Sequence, residues 1–170
     1  GWISQIAFMP GVAQTGNSVM TAIVSGNRAN AEKLAKFHNV EHIFAYEDYD
    51  KMLRQGIVDA VYIALPNSMH ADYAIRAAQA GIHVMVEKPL AVTVAECEAM
   101  IAAADKAGVW LMTAYRLHNE PATLEILDLV RRGEIGEVRV GVAVGVLVLV
   151  GRIFGAVTRY RRAHRNAGGT

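Results

Sequence analysis

The sequence contains almost no cysteine: Cys97 is the single thiol among 170 residues. One cysteine cannot form an intrachain disulfide, so a disulfide-stabilised scaffold is excluded. The apolar neighbours of Cys97 indicate a small residue in a helix core. The chain also lacks the basic start and long apolar run of a signal peptide, since it opens with Gly1-Trp2-Ile3-Ser4. We therefore expect a cytoplasmic protein, unless an upstream targeting segment precedes the first residue.

Acidic residues are absent from the last part of the chain. Residues 1–137 contain all 16 aspartates and glutamates and 11 of the 17 lysines and arginines, whereas residues 138–170 contain six arginines and no carboxylate. Such a split indicates either a basic tail for nucleic acid or membranes, or two parts of different origin.

Short apolar runs and helical patterns alternate between residues 19 and 137. The runs Val19–Val24, Ala60–Leu65, His83–Val86 and Val109–Thr113 are predicted strands, with a short extended piece at Ile43–Tyr46. Helical spacing separates them, as expected for successive βα units. Five such units with short connections predict an α/β fold with a doubly wound parallel sheet.

Start and stop signals locate the helices. Thr93 and Glu96 form a capping-box pattern, and Gly81, Gly108 and Gly133 stand where a helix ends in a left-handed residue. In the helix after Thr93, the residues predicted to face inward are Val94, Cys97, Ile101 and Ala104.

In such a sheet, ligands bind at the carboxyl ends of the strands. Polar residues follow four of the predicted strands, and we expect the chemistry at Ser25–Arg28, Pro66–His70, Glu87–Pro89 and Tyr115–His118. We predict no metal site in them.

The first candidate motif is the opening itself. A dinucleotide fingerprint needs glycines in a tight strand-to-helix turn, so that backbone N–H groups meet the pyrophosphate. Gly1-Trp2-Ile3-Ser4 fits the second half of such a turn, with the first strand and first glycine absent. Taken alone, the segment fits an N-terminal loop equally well.

The second candidate is the turn Ser25-Gly26-Asn27-Arg28. An acidic residue at this position reads the ribose of NAD, whereas small polar and basic residues accept the 2′-phosphate of NADP. The turn has no carboxylate, and Arg28 supplies a cation suited to a phosphate. An ordinary surface turn is the alternative.

The third candidate is Glu87-Lys88-Pro89. A lysine at a strand end in a cleft can hydrogen-bond a substrate hydroxyl or help to move its proton. A solvated turn is the alternative. For His118, in the polar segment after the next strand, a surface histidine is the favoured interpretation.

Together these segments closely resemble the glucose–fructose oxidoreductase (Gfo/Idh/MocA) family. The segments GWISQ, SGN, LPNSMH, EKP and YRLH occur in the order and spacing of that family. The resemblance covers roughly residues 1–139, and the stretch from Val58 to Ala91, which contains EKP, is its most specific part. It implies a Rossmann-like dinucleotide-binding domain that lacks its first strand and the C-terminal α/β domain of the family.

The resemblance also implies roles for individual residues. Pyrophosphate would meet Gly1, Trp2 and Ile3, and the adenosine ribose with any 2′-phosphate would meet Ser25, Asn27 and Arg28. Tyr46 would lie near the adenine. Further along the dinucleotide would come Leu65, Pro66, Asn67 and His70, then Glu87 and Lys88 at the nicotinamide ribose and substrate, and Arg116 at the nicotinamide end. Lys88 is the catalytic candidate.

The family likeness ends near Arg139. The apolar run Val140–Gly151 is too short to span a bilayer, and its valines favour a strand. It fits the first strand of a second domain, or sequence read off-frame, and we favour the off-frame origin over a basic binding tail. We therefore place the cofactor domain at residues 1–137 and a divergent tail at 138–170, with residues from Thr158 onward loosely packed.

The sequence thus predicts an oxidoreductase domain that prefers NADP, with NAD as the second cofactor, and acts on a sugar or polyol by hydride transfer. No nucleic acid or membrane partner is expected, and a homo-oligomer is compatible with the sequence. Two alternatives stay open. One is a nucleotide-binding fragment without catalysis, and the other is an assembly protein that pairs through Val140–Val150.

Overall fold

The computed structural model describes residues 1–137, 141–143 and 146–148. They belong to two compact units, Gly1–Tyr115 and Arg116–Thr170. The helices are α1 (Met9–Thr15, continuing a π-helical stretch Ser4–Phe8), α2 (Arg28–His38), α3 (Tyr49–Leu53), α4 (His70–Gln79), α5 (Val94–Ala107) and α6 (Pro121–Arg131). Single 3-10 turns occupy Tyr46–Asp48, Asn67–Met69 and Arg116–Asn119.

The strands of the first unit all run parallel. They are β1 (Ala22–Val24), β2 (His42–Phe44), β3 (Ala60–Ile63), β4 (His83–Val86) and β5 (Leu111–Thr113). β1 pairs with β2, and β3, β4 and β5 form a second group in that order. These groups match strands 3-2 and 4-5-6 of the doubly wound order 3-2-1-4-5-6. The predicted α/β class with parallel strands is confirmed.

In the second unit, α6 is followed by two short antiparallel strands, β6 (Gly141–Ala143) and β7 (Val146–Val148). They lie within the run predicted to be extended. The predictions for residues from 149 onward, including loose packing after Thr158, lie outside the described residues.

Several strands are shorter than predicted. β1 begins at Ala22 and leaves Val19 85% exposed. β2 ends at Phe44, because the chain turns at Tyr46, where a 3-10 turn begins. β3 ends at Ile63, two residues before the predicted Leu65. Apolar character alone suggested strand at these residues, but the backbone is unpaired at Val19 and leaves the sheet after Phe44 and Ile63.

The predicted helix ends agree closely with the structure. Thr93 Oγ1 accepts a hydrogen bond from the Glu96 backbone N–H at 3.2 Å, and Glu96 Oε2 accepts from the Thr93 N–H at 2.9 Å, which completes the capping box. Gly81 and Gly108 follow α4 and α5 with φ of 79° and 68°, the left-handed conformation that glycine adopts at little cost.

The inward face predicted for α5 is partly wrong. Val94 is 75% exposed and Ile101 is 42% exposed, whereas Met100 and Ala104 are buried. Cys97 is half-buried against the core, as is Ala103. The buried stripe is therefore centred on positions 97, 100 and 104, and Ile101 lies to one side of it.

The core of the first unit lies between its sheet and its helices. Alanines at 71, 74, 77 and 78 form the buried face of α4 and allow it to pack closely on α5. Val84 and Val86 of β4 supply buried sheet residues on one side. Within the described residues, no helix is both long and apolar enough to cross a bilayer.

Candidate functional site

The carboxyl ends of β3, β4 and β5 are level with one another. Ile63 pairs with Val86, and Val86 pairs with Thr113. The ladder continues one step further, where the Glu87 N–H donates to the Ile63 carbonyl at 2.8 Å and the Ala114 N–H to the Val86 carbonyl at 2.7 Å. Residues that follow these strands therefore start from one edge of the sheet, as the sequence predicts.

The turn after β1 is organised by its own side chains. Ser25 Oγ accepts from the Asn27 N–H at 3.1 Å, and Asn27 Oδ1 caps α2 by accepting from the Asn30 N–H at 3.0 Å. The Ser25 N–H extends the pairing with β2 by donating to the Phe44 carbonyl at 3.0 Å. Ser25 and Asn27 thus set the direction in which α2 leaves the sheet edge.

Gly26 in this turn lies against Tyr46. A Cβ on Gly26 would come within 3.1 Å of the Tyr46 ring. This is tighter than ordinary van der Waals contact, so the approach of the ring favours glycine. The structure thus brings Tyr46 to the turn Ser25–Arg28, as the family resemblance implies.

Arg28 begins α2 and is exposed. Its Nε donates to Glu32 Oε1 at 2.8 Å, one helical turn on, and its Nη1 lies 3.4 Å from the Ile43 carbonyl oxygen. The guanidinium has further N–H groups directed to solvent. Arg28 is therefore a cation held at the sheet edge but shared with a neighbouring carboxylate.

The opening residues approach the end of β3. A Cβ on Gly1 would lie 3.1 Å from the Ala64 carbonyl oxygen. Trp2 and Ile3 are 74% and 38% exposed, and the helical segment begins beside them. Gly1 therefore lies close to the backbone just past the carboxyl end of β3.

The segment after β3 forms a compact turn. The Met69 N–H donates to the Pro66 carbonyl at 2.8 Å and closes the 3-10 turn Asn67–Met69. Pro66 and Asn67 are exposed, and Leu65 is half-buried. Pro66 and Asn67 are thus accessible to a ligand at this edge.

Both carboxylate oxygens of Glu87 have partners within the protein. Tyr62 donates its hydroxyl to Oε1 at 2.6 Å, and the Lys88 N–H donates to Oε2 at 3.1 Å. Lys88 itself is exposed. Glu87 therefore fixes the backbone from which the Lys88 side chain extends.

Tyr62 is a site residue that the sequence analysis missed. Its ring stacks on Phe8 with centroids 3.7 Å apart and planes 9° from parallel. Burial, followed by the hydrogen bond to Glu87, raises the pKa of the Tyr62 hydroxyl above its usual range, so it stays a donor at neutral pH. The apolar pattern of residues 60–65 predicts Tyr62 only as part of a central strand, although a tyrosine hydroxyl in such a strand needs a partner.

His70 is completely buried at the first residue of α4. Its Nδ1 lies 2.9 Å from the Pro89 carbonyl oxygen, and its Nε2 lies 3.0 Å from the Leu65 carbonyl oxygen. The ring is therefore enclosed between the segments that follow β3 and β4.

The remaining predicted residue, Arg116, belongs to the second unit. It begins the 3-10 turn Arg116–Asn119 and is exposed, as is His118. Its predicted role at the nicotinamide stays a prediction. Among the residues whose structure is described, no group of three histidine, cysteine or carboxylate side chains could hold a metal ion.

Comparison with known proteins identifies the family. A family model described as Gfo/Idh/MocA, "Oxidoreductase family, NAD-binding Rossmann fold", matches residues 1–115. The chain belongs to this family. The resemblance seen in the sequence is thereby confirmed, and the first unit is the NAD-binding Rossmann domain of a Gfo/Idh/MocA oxidoreductase.

Individual relatives agree with this assignment. D-xylose 1-dehydrogenase [NADP(+)] from Haloarcula marismortui is 36% identical over 138 residues, which are 81% of this chain and 38% of the relative. The aldose-aldose oxidoreductase from Caulobacter crescentus, solved with glycerol, is 41% identical with a TM-score of 0.75, over 78% of this chain and 40% of that one. A 3-ketoreductase from Actinomadura kijaniata, solved with TDP-benzene and NADP, is 30% identical with a TM-score of 0.74, over 82% and 43%.

The Gfo/Idh/MocA chain described here spans about two fifths of the length of these relatives. Membership of an oxidoreductase family favours a cofactor-binding domain over the assembly protein that the sequence left open.

Proposed function

We propose that this Gfo/Idh/MocA domain binds NADP in preference to NAD, and that the whole enzyme moves a hydride to or from a carbon of a sugar or polyol. The observation that carries the cofactor preference is the turn after β1. It holds Arg28 and no carboxylate. The names of relatives support this preference, since one is an NADP(+)-dependent xylose dehydrogenase and another was solved with NADP.

Two features of this sheet edge would suit a dinucleotide: glycines that other groups of the protein approach closely, and exposed polar side chains. In this proposal Gly1, Trp2 and Ile3 meet the pyrophosphate, and Ser25, Asn27 and Arg28 surround the adenosine ribose and 2′-phosphate. Tyr46, packed on Gly26, flanks the adenine. The other residues proposed to contact the cofactor are Leu65, Pro66, Asn67, Glu87, Lys88 and Arg116, whereas the predicted residue His70 is fully buried and has no surface for direct contact.

Lys88 is the proposed catalytic residue. The nicotinamide supplies the hydride chemistry when bound, and the protein orients it and handles the proton. Lys88 Nζ would donate to a substrate hydroxyl or carbonyl oxygen and help to move its proton. Glu87 holds the Lys88 backbone N–H at 3.1 Å and is itself held by Tyr62 at 2.6 Å.

Glu32 partly neutralises the charge of Arg28 through an ion pair of 2.8 Å. The pair is exposed, so its own contribution to stability is small, but a 2′-phosphate has to compete with the Glu32 carboxylate for the guanidinium. We therefore expect a moderate preference for NADP.

A matched pair of variants tests the cofactor proposal. Titration of NADPH and NADH fluorescence should show that Arg28→Ala weakens NADPH about tenfold, as for loss of a charge-assisted contact, with NADH almost unchanged. Glu32→Gln should strengthen NADPH, because Arg28 loses its competitor. Equal affinities for the two cofactors in the unmodified chain, or an unchanged ratio in Arg28→Ala, would overturn the preference.

The same proposal covers domain limits and partners. We place the functional cofactor domain at residues 1–137. The proposed partner is a small sugar or polyol, and no nucleic acid or membrane partner is proposed. A homo-oligomer stays an expectation, which measurement of the mass in solution would test. Cofactor binding without turnover by this chain would select the nucleotide-binding fragment.

A further inference from the structure

His70 is the one polar side chain that is fully buried among residues 1–137, at 0% exposure. A buried polar group is expected to have a specific partner, because leaving one unpaired costs free energy. Two carbonyl oxygens face its ring nitrogens, that of Pro89 at 2.9 Å from Nδ1 and that of Leu65 at 3.0 Å from Nε2, and a neutral ring donates to one of them. These carbonyls are separated by 24 positions in sequence but meet at one ring.

The two carbonyls belong to the two segments proposed to contact the cofactor. Leu65 directly precedes Pro66-Asn67 after β3, and Pro89 directly follows Glu87-Lys88 after β4. Proline has no backbone N–H, so Pro66 and Pro89 cannot donate to each other's segment as strand residues would. Beyond the point where the β3–β4 ladder ends, the His70 ring lies between the two segments, hydrogen-bonded to one carbonyl and packed against the other.

Burial also limits what His70 can do directly. With no exposed surface, its ring has no atom available to a dinucleotide at the sheet edge. In either neutral tautomer the protonated nitrogen donates to the carbonyl that it faces, and the ring fills the space between the two segments. Any influence on the cofactor passes through the positions of Leu65 and Pro89.

We infer that His70 is a positioning residue, which holds Pro66-Asn67 and Glu87-Lys88-Pro89 at a fixed separation for the dinucleotide. The inference rests on the proposed function and deepens it, since it replaces a direct contact by His70 with an indirect one. Partners that orient the residues of a site typically change affinity or activity by about tenfold or more when removed.

His83 offers a matched control. Like His70, it is hydrogen-bonded to the backbone, because its Nδ1 accepts from the Trp110 N–H at 3.0 Å. Unlike His70, it is only partly buried. It lies at the amino ends of β4 and β5, opposite the proposed site. If histidine–backbone bonds serve only stability, variants of His70 and His83 should behave alike.

The experiment compares His70→Leu, His70→Gln and His83→Gln in the 170-residue chain. NADPH affinity is measured by fluorescence titration, and backbone hydrogen exchange is measured by mass spectrometry. We expect His70→Leu to weaken NADPH about tenfold or more and to speed exchange in residues 64–70 and 86–91, with α2 unchanged. His70→Gln keeps an N–H donor and should restore part of the affinity. His83→Gln should lower the melting temperature without changing NADPH affinity.

Two results would overturn the inference. One is a folded His70→Leu chain with unchanged exchange in both segments or unchanged NADPH affinity. The other is failure of both His70 variants to fold, which would assign His70 to the core as a whole. An unmodified chain that binds no NADPH would overturn the proposed function instead, and the exchange comparison would still decide whether His70 holds the two segments together.

Discussion

Side chains make hydrogen bonds at both the amino ends and the carboxyl ends of the parallel strands β3, β4 and β5, but these bonds hold different parts of the chain. At the amino ends, turns dominate: Gly81 and Gly108 end α4 and α5 shortly before β4 and β5. The contacts there connect strands to one another, as in the bond from the Trp110 N–H to His83. At the carboxyl ends, side chains such as Tyr62 and His70 hold loops.

This difference indicates that residues with a role in ligand binding lie at the carboxyl ends of the strands. A contact at the amino ends holds elements that the rest of the chain also holds, so its loss should reduce stability alone. A contact at the carboxyl ends fixes exposed residues such as Asn67 and Lys88, so its loss should also change ligand binding. The following experiments test that division.

The largest effect is expected at Lys88. In an enzyme of the length of its relatives that contains this domain, Lys88→Met should lower turnover about a hundredfold or more, as for removal of a positioned proton-transfer group, while NADPH affinity changes little. Steady-state kinetics with an aldose and NADP would measure this. Lys106→Met, on the exposed end of α5, is the control. Near-normal turnover in Lys88→Met would show that the assigned role is wrong.

Tyr62→Phe should have a smaller but specific effect. The change removes the hydroxyl that donates to Glu87 and keeps the ring stacked on Phe8. A lost hydrogen bond to a charged group should cost about 1.5–3 kcal/mol of unfolding free energy and loosen the Lys88 backbone, so NADPH affinity should fall several-fold. Denaturant melts and NADPH titration would measure both quantities.

Tyr49→Phe is the matched control for Tyr62. It removes a buried hydroxyl that donates to the Tyr73 carbonyl of α4 at 3.1 Å, not to the segment after β4, and should reduce stability alone. The raised pKa of Tyr62 also predicts how stability depends on pH. The stabilisation that the Tyr62 hydroxyl contributes is complete below the unfolded tyrosine pKa of about 10 and is lost as pH rises beyond that. Equal NADPH affinity in both variants would remove Tyr62 from the site.

At the amino ends, Gly81→Ala should change stability only. Gly81 has φ of 79° with open space around its Cβ position, so the cost is that of the left-handed backbone, about 1–2 kcal/mol. Gly11→Ala, in α1 and also with open space, should instead leave stability equal or higher. Thermal melts report both, and a Gly81→Ala chain with weakened NADPH binding would contradict the division between the two ends.

The smallest effect is expected in the tail. Deletion of residues 152–170 should leave NADPH affinity unchanged, because these residues contain arginines without a single carboxylate and lie beyond the family likeness. Reading the coding sequence in its other two frames would test the off-frame origin. Loss of cofactor binding on deletion, with no family-like sequence in either frame, would make the tail functional.

Local signals predicted much of this fold. The capping box at Thr93 and the left-handed glycines at 81 and 108 depend on residues close in sequence, so their physics can be read from the chain. Strand limits were less accurate, since apolar residues such as Val19 before β1 and Leu65 after β3 extend beyond the paired part of the strand. The face of α5 was misjudged because burial at Met100 depends on how the helix packs on α4.

The sequence predicted which segments follow the strands at the sheet edge, but not the contacts between those segments. Motifs after the strands indicated Ser25–Arg28 and Glu87–Lys88 correctly as edge segments. The bonds from Tyr62 to Glu87 and from His70 to Pro89 join residues 25 and 19 positions apart, and no local pattern encodes such a pairing. Only the three-dimensional arrangement separates a residue that touches a ligand from one that positions it.

The most direct test of the central claim is a paired titration of the unmodified chain with NADPH and NADH. If the carboxyl edge is an NADP site read by Arg28, NADPH should bind with several-fold higher affinity than NADH, and the difference should shrink as salt screens the phosphate contact. Tighter binding of NADH, or no binding of either dinucleotide by a folded chain, would contradict the account.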